Sequence, residues 1–449
     1  MKYDVIVVGA GTAGCTFARH AAEAGLKVCL IDRKKSDKIG RKVCGDAIGR
    51  HHFDEVGLDP PKGEELERRV EGVDIYSPNK KVKMRFRGEG IYGYIINRYL
   101  FGQRLLNMAV NSGVILEDST QVLEPIIKDG FVVGISALKD GGKVKFHGKV
   151  IIDASGYNAV LRRKLPQEMG IQNEVSKEDV IICYREIREL ERQLENPNYL
   201  RIYLNLETAP GGYVWAFPEG DNKLNVGLGV VLADGYPNPK TQLYNKVLRD
   251  PIFNGSVLHG GGGHVPTRRP LDTMVGNGII LVGDSACQVN PIHGGGIGPS
   301  MIGGMIAAKT VVKALEVGDV SRRGLWVYNV DYNLKYGAKQ AGLDVFRIFL
   351  QKLRDEDLDY GMEHRLITEE DLLKASMGVG EGVRLNITEK ATRVFRGLGK
   401  LGFLMKLRTA ANLMKQLKRH YMDYPETPEK FDEWRLKASS LIEEAKRKL

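Results

Sequence analysis

Gly9-Ala10-Gly11-Thr12-Ala13-Gly14 joins an apolar run, Val5-Ile6-Val7-Val8, to the start of a helical pattern. Gly9 permits a tight strand-to-helix turn, Gly11 lets the backbone approach a pyrophosphate, and Gly14 lets helix and strand pack closely. The free N–H groups at the helix start would face the phosphates. A second apolar run, Val28-Cys29-Leu30-Ile31, ends at Asp32, a carboxylate placed to accept hydrogen bonds from an adenosine ribose. The chain is therefore expected to begin with a β-α-β dinucleotide-binding unit. Arg33 would suit a ribose phosphate, but Asp32 argues for a free ribose hydroxyl, as in FAD or NAD.

A length of 449 residues exceeds one hydrophobic core and implies two or three domains. No apolar run reaches the roughly eighteen residues of a membrane span, and the N-terminal residues read as a strand rather than a secretory leader. Cys15, Cys29, Cys44, Cys183 and Cys287 form no CxxC pair. That pattern disfavours a disulfide framework or a zinc site, so no metal is expected and the setting reads as reducing and cytoplasmic. Much of the net charge of +10 comes from residues 391–420, where eight Lys and Arg residues meet no Asp or Glu. Interspersed Phe, Leu and Met residues make this stretch an amphipathic basic helix, suited either to an anionic membrane surface or to a packed helix with a solvated face. No nucleic-acid motif accompanies it, and a nucleic-acid partner is not expected.

The pattern alternates around Pro78-Asn79-Lys80-Lys81, predicting a β-hairpin over Val73–Phe86. Helix is expected over Leu100–Val110, and strands near Val114–Leu116, Val122–Ile127 and Val132–Leu138. A buried strand runs into Asp153-Ala154-Ser155-Gly156. A mainly β block follows from about Asp179 to Gly263, with alternation at Tyr203–Leu206, Tyr213–Phe217 and Leu224–Val231. A core strand, Gly278–Asp284, precedes a long helix from about Gly298, and the rest is helical. The expected fold is α/β: a discontinuous Rossmann-like FAD-binding domain (1–70, 93–165, 264–325), an inserted, mainly antiparallel β-sheet substrate domain (71–92, 166–263) and a C-terminal helical domain (326–449).

Three of these stretches carry a family resemblance. The glycine motif, Asp153-Ala154-Ser155-Gly156 with Arg162 six residues on, and Gly283-Asp284 before a glycine-rich helix start resemble the fingerprints of the p-hydroxybenzoate hydroxylase-like FAD superfamily. Lys42-Val43-Cys44-Gly45 and Pro210-Gly211-Gly212-Tyr213-Val214-Trp215-Ala216-Phe217-Pro218 further resemble the geranylgeranyl reductases, above all the archaeal digeranylgeranylglycerophospholipid reductases. The resemblance implies that Ala13 and Asp32 contact the adenosine half of FAD, Cys44, Gly45 and Ala47 its flavin side, and Arg98 and Val122 complete the grip. Asp284, Gly296 and Ile297 would hold the ribityl chain and ring.

The candidate catalytic groups are Cys44, Tyr213 and His293. Cys44 reads either as a proton-donating or redox thiol or as a small residue chosen for space, and a bridge to Cys287 is a further alternative. His293 reads as a proton donor or a hydrogen-bonded loop histidine. Tyr213, Trp215 and Phe217 share one strand face, forming either ordinary sheet core or an aromatic wall for an apolar chain. A flavin halogenase signature places tryptophan where Tyr213 stands, a departure that counts against halogenation. The implied activity is saturation of geranylgeranyl C=C bonds on archaeal-type phospholipids, with ferredoxin or NAD(P)H as the reductant and peripheral contact with the membrane. A flavin monooxygenase and a non-catalytic prenyl-binding escort are the alternatives.

Overall fold

A computed structural model of the chain describes residues 2–88, 91–192, 194–366, 368 and 400–449. The centre of its first sheet is built from largely apolar runs, because strands covered on both faces need no polar side. Lys2–Val8 lies at the centre, parallel to Val28–Ile31 on one side and to Gly142–Asp153 on the other. Ile115–Glu117 and Ile279–Leu281 extend the sheet in parallel, and Val275–Gly276 closes one edge antiparallel. Helix Thr12–Glu23 packs against Arg98–Asn111 and the long helix Ile297–Val317. Gly142–Asp153 changes role along its length. Its last four residues are buried in the parallel core, whereas its first eight are partly or fully exposed and pair antiparallel with Phe131–Lys139.

The second sheet has the order Gly255–Val265, Ile181–Leu190, Lys223–Val231, Val214–Glu219, Tyr199–Tyr203, Gly72–Tyr76, Lys83–Arg87. Every neighbouring pair is antiparallel except Tyr199–Tyr203 with Gly72–Tyr76. The hairpin expected around residues 78–81 forms and joins the sheet as its edge. The strand read at Tyr203–Leu206 lies earlier, at Tyr199–Tyr203. Beyond it the Asn205 side chain accepts from Thr208 N at 2.7 Å and turns the chain. Ile181–Leu190 and the glycine-rich Gly255–Val265 were not resolved from the alternation alone. A third, unanticipated sheet joins Ala47–Gly49, Gly93–Ile96 and Leu66–Val70.

The C-terminal helices include Ala338–Gln351, Leu401–Met422 and Phe431–Lys448. The described part of the basic stretch forms a helix over Leu401–Met422; residues 391–399 lie outside the described residues. Phe403, Ala410, Leu413, Leu417 and Tyr421 bury its apolar stripe against Ala338–Gln351 and the last helix, while Lys406, Arg408, Lys415 and Arg419 remain exposed. Arg269 and Arg347 reach Asp344 at 3.3 and 2.7 Å, and Arg347 also reaches Asp179 at 2.7 Å, tying the helical region to the body. Among the described residues no helix is long and apolar enough to cross a membrane.

Candidate functional site

The three glycines of the first turn have distinct surroundings. Gly9 sits at φ +104°, and a Cβ there would lie 2.4 Å from the Ala154 carbonyl oxygen. A Cβ on Gly14 would lie 1.9 Å from the Gly9 carbonyl oxygen, whereas one on Gly11 would meet nothing within 4 Å. Helix Thr12–Glu23 thus opens beside free space, with no side-chain cap and no acidic residue in its first turn, the arrangement that receives a phosphate. Asp32 accepts from Ala10 N and Lys34 N, both at 2.8 Å, which fixes its carboxylate at the strand end. Thr120 N donates to the Asp32 carbonyl, placing the strand that carries Val122 beside the same turn.

Arg98 enters from the helix capped by Asn97 and donates from Nη2 to Thr12 Oγ1 at 2.6 Å. Its Nε is buried without a partner. An unpaired guanidinium N–H beside the first turn of an uncapped helix fits a pyrophosphate oxygen. The residues present therefore fit FAD: Arg98 and the Gly11–Gly14 turn would hold its phosphates and Asp32 its ribose. Arg98→Ala is expected to weaken FAD binding roughly ten- to a hundredfold, since hydrogen bonds to charged groups contribute about 1.5–3 kcal/mol. Titrating apoprotein with FAD and following flavin fluorescence measures it.

On the other side, Ile297–Val317 starts at Gly296, again without a side-chain cap or acidic residue in the first turn. Asp284 is held beside it; a Cβ on Gly296 would lie 3.3 Å from Asp284 Oδ1. Lys42 reaches Asp284 at 3.2 Å from the 41–46 loop, so the loop and the helix start lie side by side. These positions would face the ribityl chain and ring of FAD.

The 41–46 loop lies against the second sheet. A Cβ on Gly261 would come within 2.7 Å of Val43 Cγ2, so Gly261 makes room for the loop. The Cys44 carbonyl accepts from Arg185 Nε at 3.2 Å and Asn225 Nδ2 at 3.0 Å. A Cβ on Gly45 would lie 3.2 Å from the Phe217 ring. Tyr213, Trp215 and Phe217 do share a face, with successive ring centroids 6.1 and 6.4 Å apart. They pack with Val70, Ile95, Leu200 and Ala47 as a separate apolar cluster. The Trp215 indole donates to Asn225 Oδ1 at 2.9 Å.

The three proton-donor candidates meet in this region but differ in state. Burial, with Cys183 and Cys44 nearby, pushes the Tyr213 hydroxyl up, and it donates to the His293 carbonyl at 2.7 Å. Burial and the Asp46 carboxylate also push the Cys44 thiol up, so it is a protonated thiol at neutral pH. His293 is exposed at its loop yet densely surrounded, and desolvation, then Lys339 and His52, hold its imidazole down at about 4. It is neutral at pH 7, and its Nδ1 accepts from Gly295 N at 3.1 Å. All five cysteines are free, which overturns the Cys44–Cys287 bridge; Cys287 is buried within the core. Asp153 is fully buried and accepts from Ser155 N, Ser155 Oγ, Leu161 N and Arg162 N. Its acceptors are committed to its own loop.

Sequence reasoning missed a buried polar group beneath Cys44. Asn225 Nδ2 contacts Asp46 Oδ2 at 3.0 Å and Glu219 Oε1 at 3.1 Å as well as the Cys44 carbonyl. Arg185 sits 3.7 Å from Asp46 and 2.9 Å from His259 Nδ1. Burial raises the Asp46 carboxyl to about 7 and the Glu219 carboxyl to about 8. The signal available was polarity inside strands otherwise apolar. Both groups hold protons in the folded state that the unfolded chain releases from about pH 4, so their contribution is full below the ordinary carboxyl range. It is lost as pH rises through about 7 to 8. Wild type is thus expected to lose stability relative to Asp46→Asn/Glu219→Gln between pH 5 and 8, on the order of 1 kcal/mol per pH unit, in parallel urea titrations.

An uncapped-helix dinucleotide site, joined through the 41–46 loop to an aromatic strand of the second sheet, defines an FAD-dependent oxidoreductase. The glucose inhibited division protein A family matches residues 4–57, and the geranylgeranyl reductase catalytic domain family matches residues 179–265. A digeranylgeranylglycerophospholipid reductase of Sulfolobus acidocaldarius is 42% identical over all of this chain and 99% of its own length. One from Methanothrix thermoacetophila is 31% identical over 84% of this chain and 94% of its own. The structure of a geranylgeranyl bacteriochlorophyll reductase-like protein from Thermoplasma acidophilum superposes with a TM-score of 0.76 at 25% identity, covering 91% of this chain and 99% of that one. A flavin-dependent brominase shares the fold alone, at 18% identity and TM-score 0.66, over 89% of this chain and 99% of its own. The chain belongs to the digeranylgeranylglycerophospholipid reductase family.

Proposed function

We propose that the protein saturates the C=C bonds of geranylgeranyl chains carried on a digeranylgeranyl glycerophospholipid. The observation that carries this reading is the wall of Tyr213, Trp215 and Phe217, which meets the flavin-side loop at Gly45. Bound reduced FAD supplies the hydride. The wall holds an isoprenoid chain flat beside that loop and excludes water, which matters because an unactivated trisubstituted alkene reacts only when positioned in a dry site. Cys44 supplies the proton from a neutral thiol two residues from the buried Asp46. Tyr213 anchors the wall to the His293 loop through its hydroxyl. The reductant of the flavin is ferredoxin or a nicotinamide.

The exposed Lys406, Arg408, Lys415 and Arg419, beside exposed Met405 and Leu401, give the C-terminal region a face suited to anionic headgroups. The enzyme would dock there as a peripheral protein at the cytoplasmic surface. Anaerobic protein reduced with dithionite and mixed with the geranylgeranyl lipid is expected to reoxidise its flavin while the lipid gains two hydrogens per double bond by mass. Flavin that stays reduced until oxygen enters would instead favour a monooxygenase, and protein that binds the lipid without flavin an escort.

A further inference from the structure

Three acceptors converge on one amide nitrogen. Asn225 Nδ2 carries two hydrogens, yet Cys44 O, Asp46 Oδ2 and Glu219 Oε1 all lie 3.0–3.1 Å from it. The Asn225 amide cannot be turned over to relieve this, because its oxygen accepts the Trp215 indole N–H. Two carboxyl groups, both more than nine-tenths buried, are therefore held around one neutral donor. Arg185 from Ile181–Leu190 faces Asp46 at 3.7 Å but is also committed to the Cys44 carbonyl and His259. Arg98 faces Asp46 from its helix and is committed to Thr12. Glu67 from Leu66–Val70 adds a further negative charge toward both carboxyls, partly offset by Lys223 at 3.9 Å. Asp46 Oδ1 is buried without a hydrogen-bond partner. Two ionised carboxylates in this setting would repel and leave acceptors unsatisfied, whereas a retained proton relieves both penalties.

We propose that Asp46 and Glu219, bridged by Asn225, are a proton store that refills the Cys44 thiol after each alkene is reduced. The inference rests on the function proposed above. In the reduction, hydride forms one C–H bond; the Cys44 S–H bond breaks, its proton forms the second C–H bond, and the electron pair stays on sulfur. The Asp46 O–H bond then breaks and the S–H bond reforms, leaving the charge on the carboxyl pair until water returns the proton. Transfer from carboxyl to thiolate runs downhill, because burial holds the thiol above its ordinary value. Asp46 and Glu219 are positioning residues in this scheme and touch no substrate.

The test uses the full-length, FAD-loaded protein and begins with infrared difference spectroscopy, which needs no substrate. Wild type is expected to show the C=O stretch of a protonated carboxyl at pH 6 that fades as pH rises through about 7 to 8. Glu219→Gln is expected to diminish that band and Asp46→Asn/Glu219→Gln to remove it. In rapid-mixing experiments at pH 7, Glu219→Gln should complete its first turnover at the wild-type rate, with Cys44 already protonated, and then slow about tenfold in steady state. Its KM should be unchanged. Absence of the band in wild type at pH 6, or a band indifferent to both substitutions in folded protein, overturns the proposal. Equal slowing of the first and later turnovers overturns it too, since that is what a merely structural role would give. If no prenyl lipid is reduced while the band titrates as stated, the functional reading fails and the proton-holding pair stands.

Discussion

Gly14→Ala is expected to yield protein that purifies without flavin and unfolds at much lower urea. The added Cβ would stand 1.9 Å from the Gly9 carbonyl oxygen and 3.2 Å from Ala154 Cβ. The first is a backbone atom of the dinucleotide turn, so no side-chain rotation relieves the contact. Gly9 cannot retreat either: its own Cβ direction already points at the Ala154 carbonyl at 2.4 Å, and its N–H is tied to Ile31 O at 2.7 Å. The helix must therefore lift from the strand, which opens the packing of Ala13, Cys15 and Phe17 in the core. Overpacking against backbone of this kind costs about 3 kcal/mol or more. The same displacement moves the helix N–H groups away from Arg98 and the phosphates. Gly11→Ala is the control, with nothing within 4 Å of its Cβ; it should keep its stability and lose only FAD affinity. Flavin absorbance per chain and urea midpoints read both outcomes.

The difference between these glycines also marks how far the sequence could be read. Spacing alone identified the turn, because Gly9 and Gly14 answer to local backbone demands and Gly11 leaves the space beside the helix start open. Likewise the parallel strands were legible where apolar runs are buried on both faces, and the 73–86 hairpin where alternation flanks a Pro-Asn turn. Legibility failed where partners are remote in sequence. Gly255–Val265 falls in the expected β block but shows no alternation of its own, and Gly261 is set by Val43, a residue far upstream. The small sheet of Ala47–Gly49 and Gly93–Ile96 is too short to leave a periodicity. The resemblance named the loop around Cys44 but not the buried group beneath it. Asp46, Arg185, Glu219 and Asn225 come from separate elements, and their polarity has meaning only once those elements meet.

Trp215→Ala should have the largest effect on turnover, for reasons that separate wall from fold. Trp215 is 7% exposed, lies between Tyr213 and Phe217, and has a strand neighbour kept free for it: a Cβ on Gly227 would fall 2.6 Å from the indole Cζ2. Truncation removes that filling and leaves the fully buried Asn225 without its donor. A large-to-small change at such a site costs about 3–5 kcal/mol. Asn225 also holds the Cys44 carbonyl, so a loosened amide lets the flavin-side loop shift, and a displacement of about 1 Å at a reacting centre lowers kcat about a hundredfold. Trp215→Phe separates the two contributions. It keeps most of the aromatic surface and loses only the indole hydrogen bond, about 1 kcal/mol, so it should bind the lipid with little change in KM while kcat falls. Neither substitution touches the dinucleotide turn, and both proteins should remain yellow. Colourless Trp215→Phe protein would mean that the wall supports the FAD site itself, and the assignment of these rings to the isoprenoid chain would have to be abandoned.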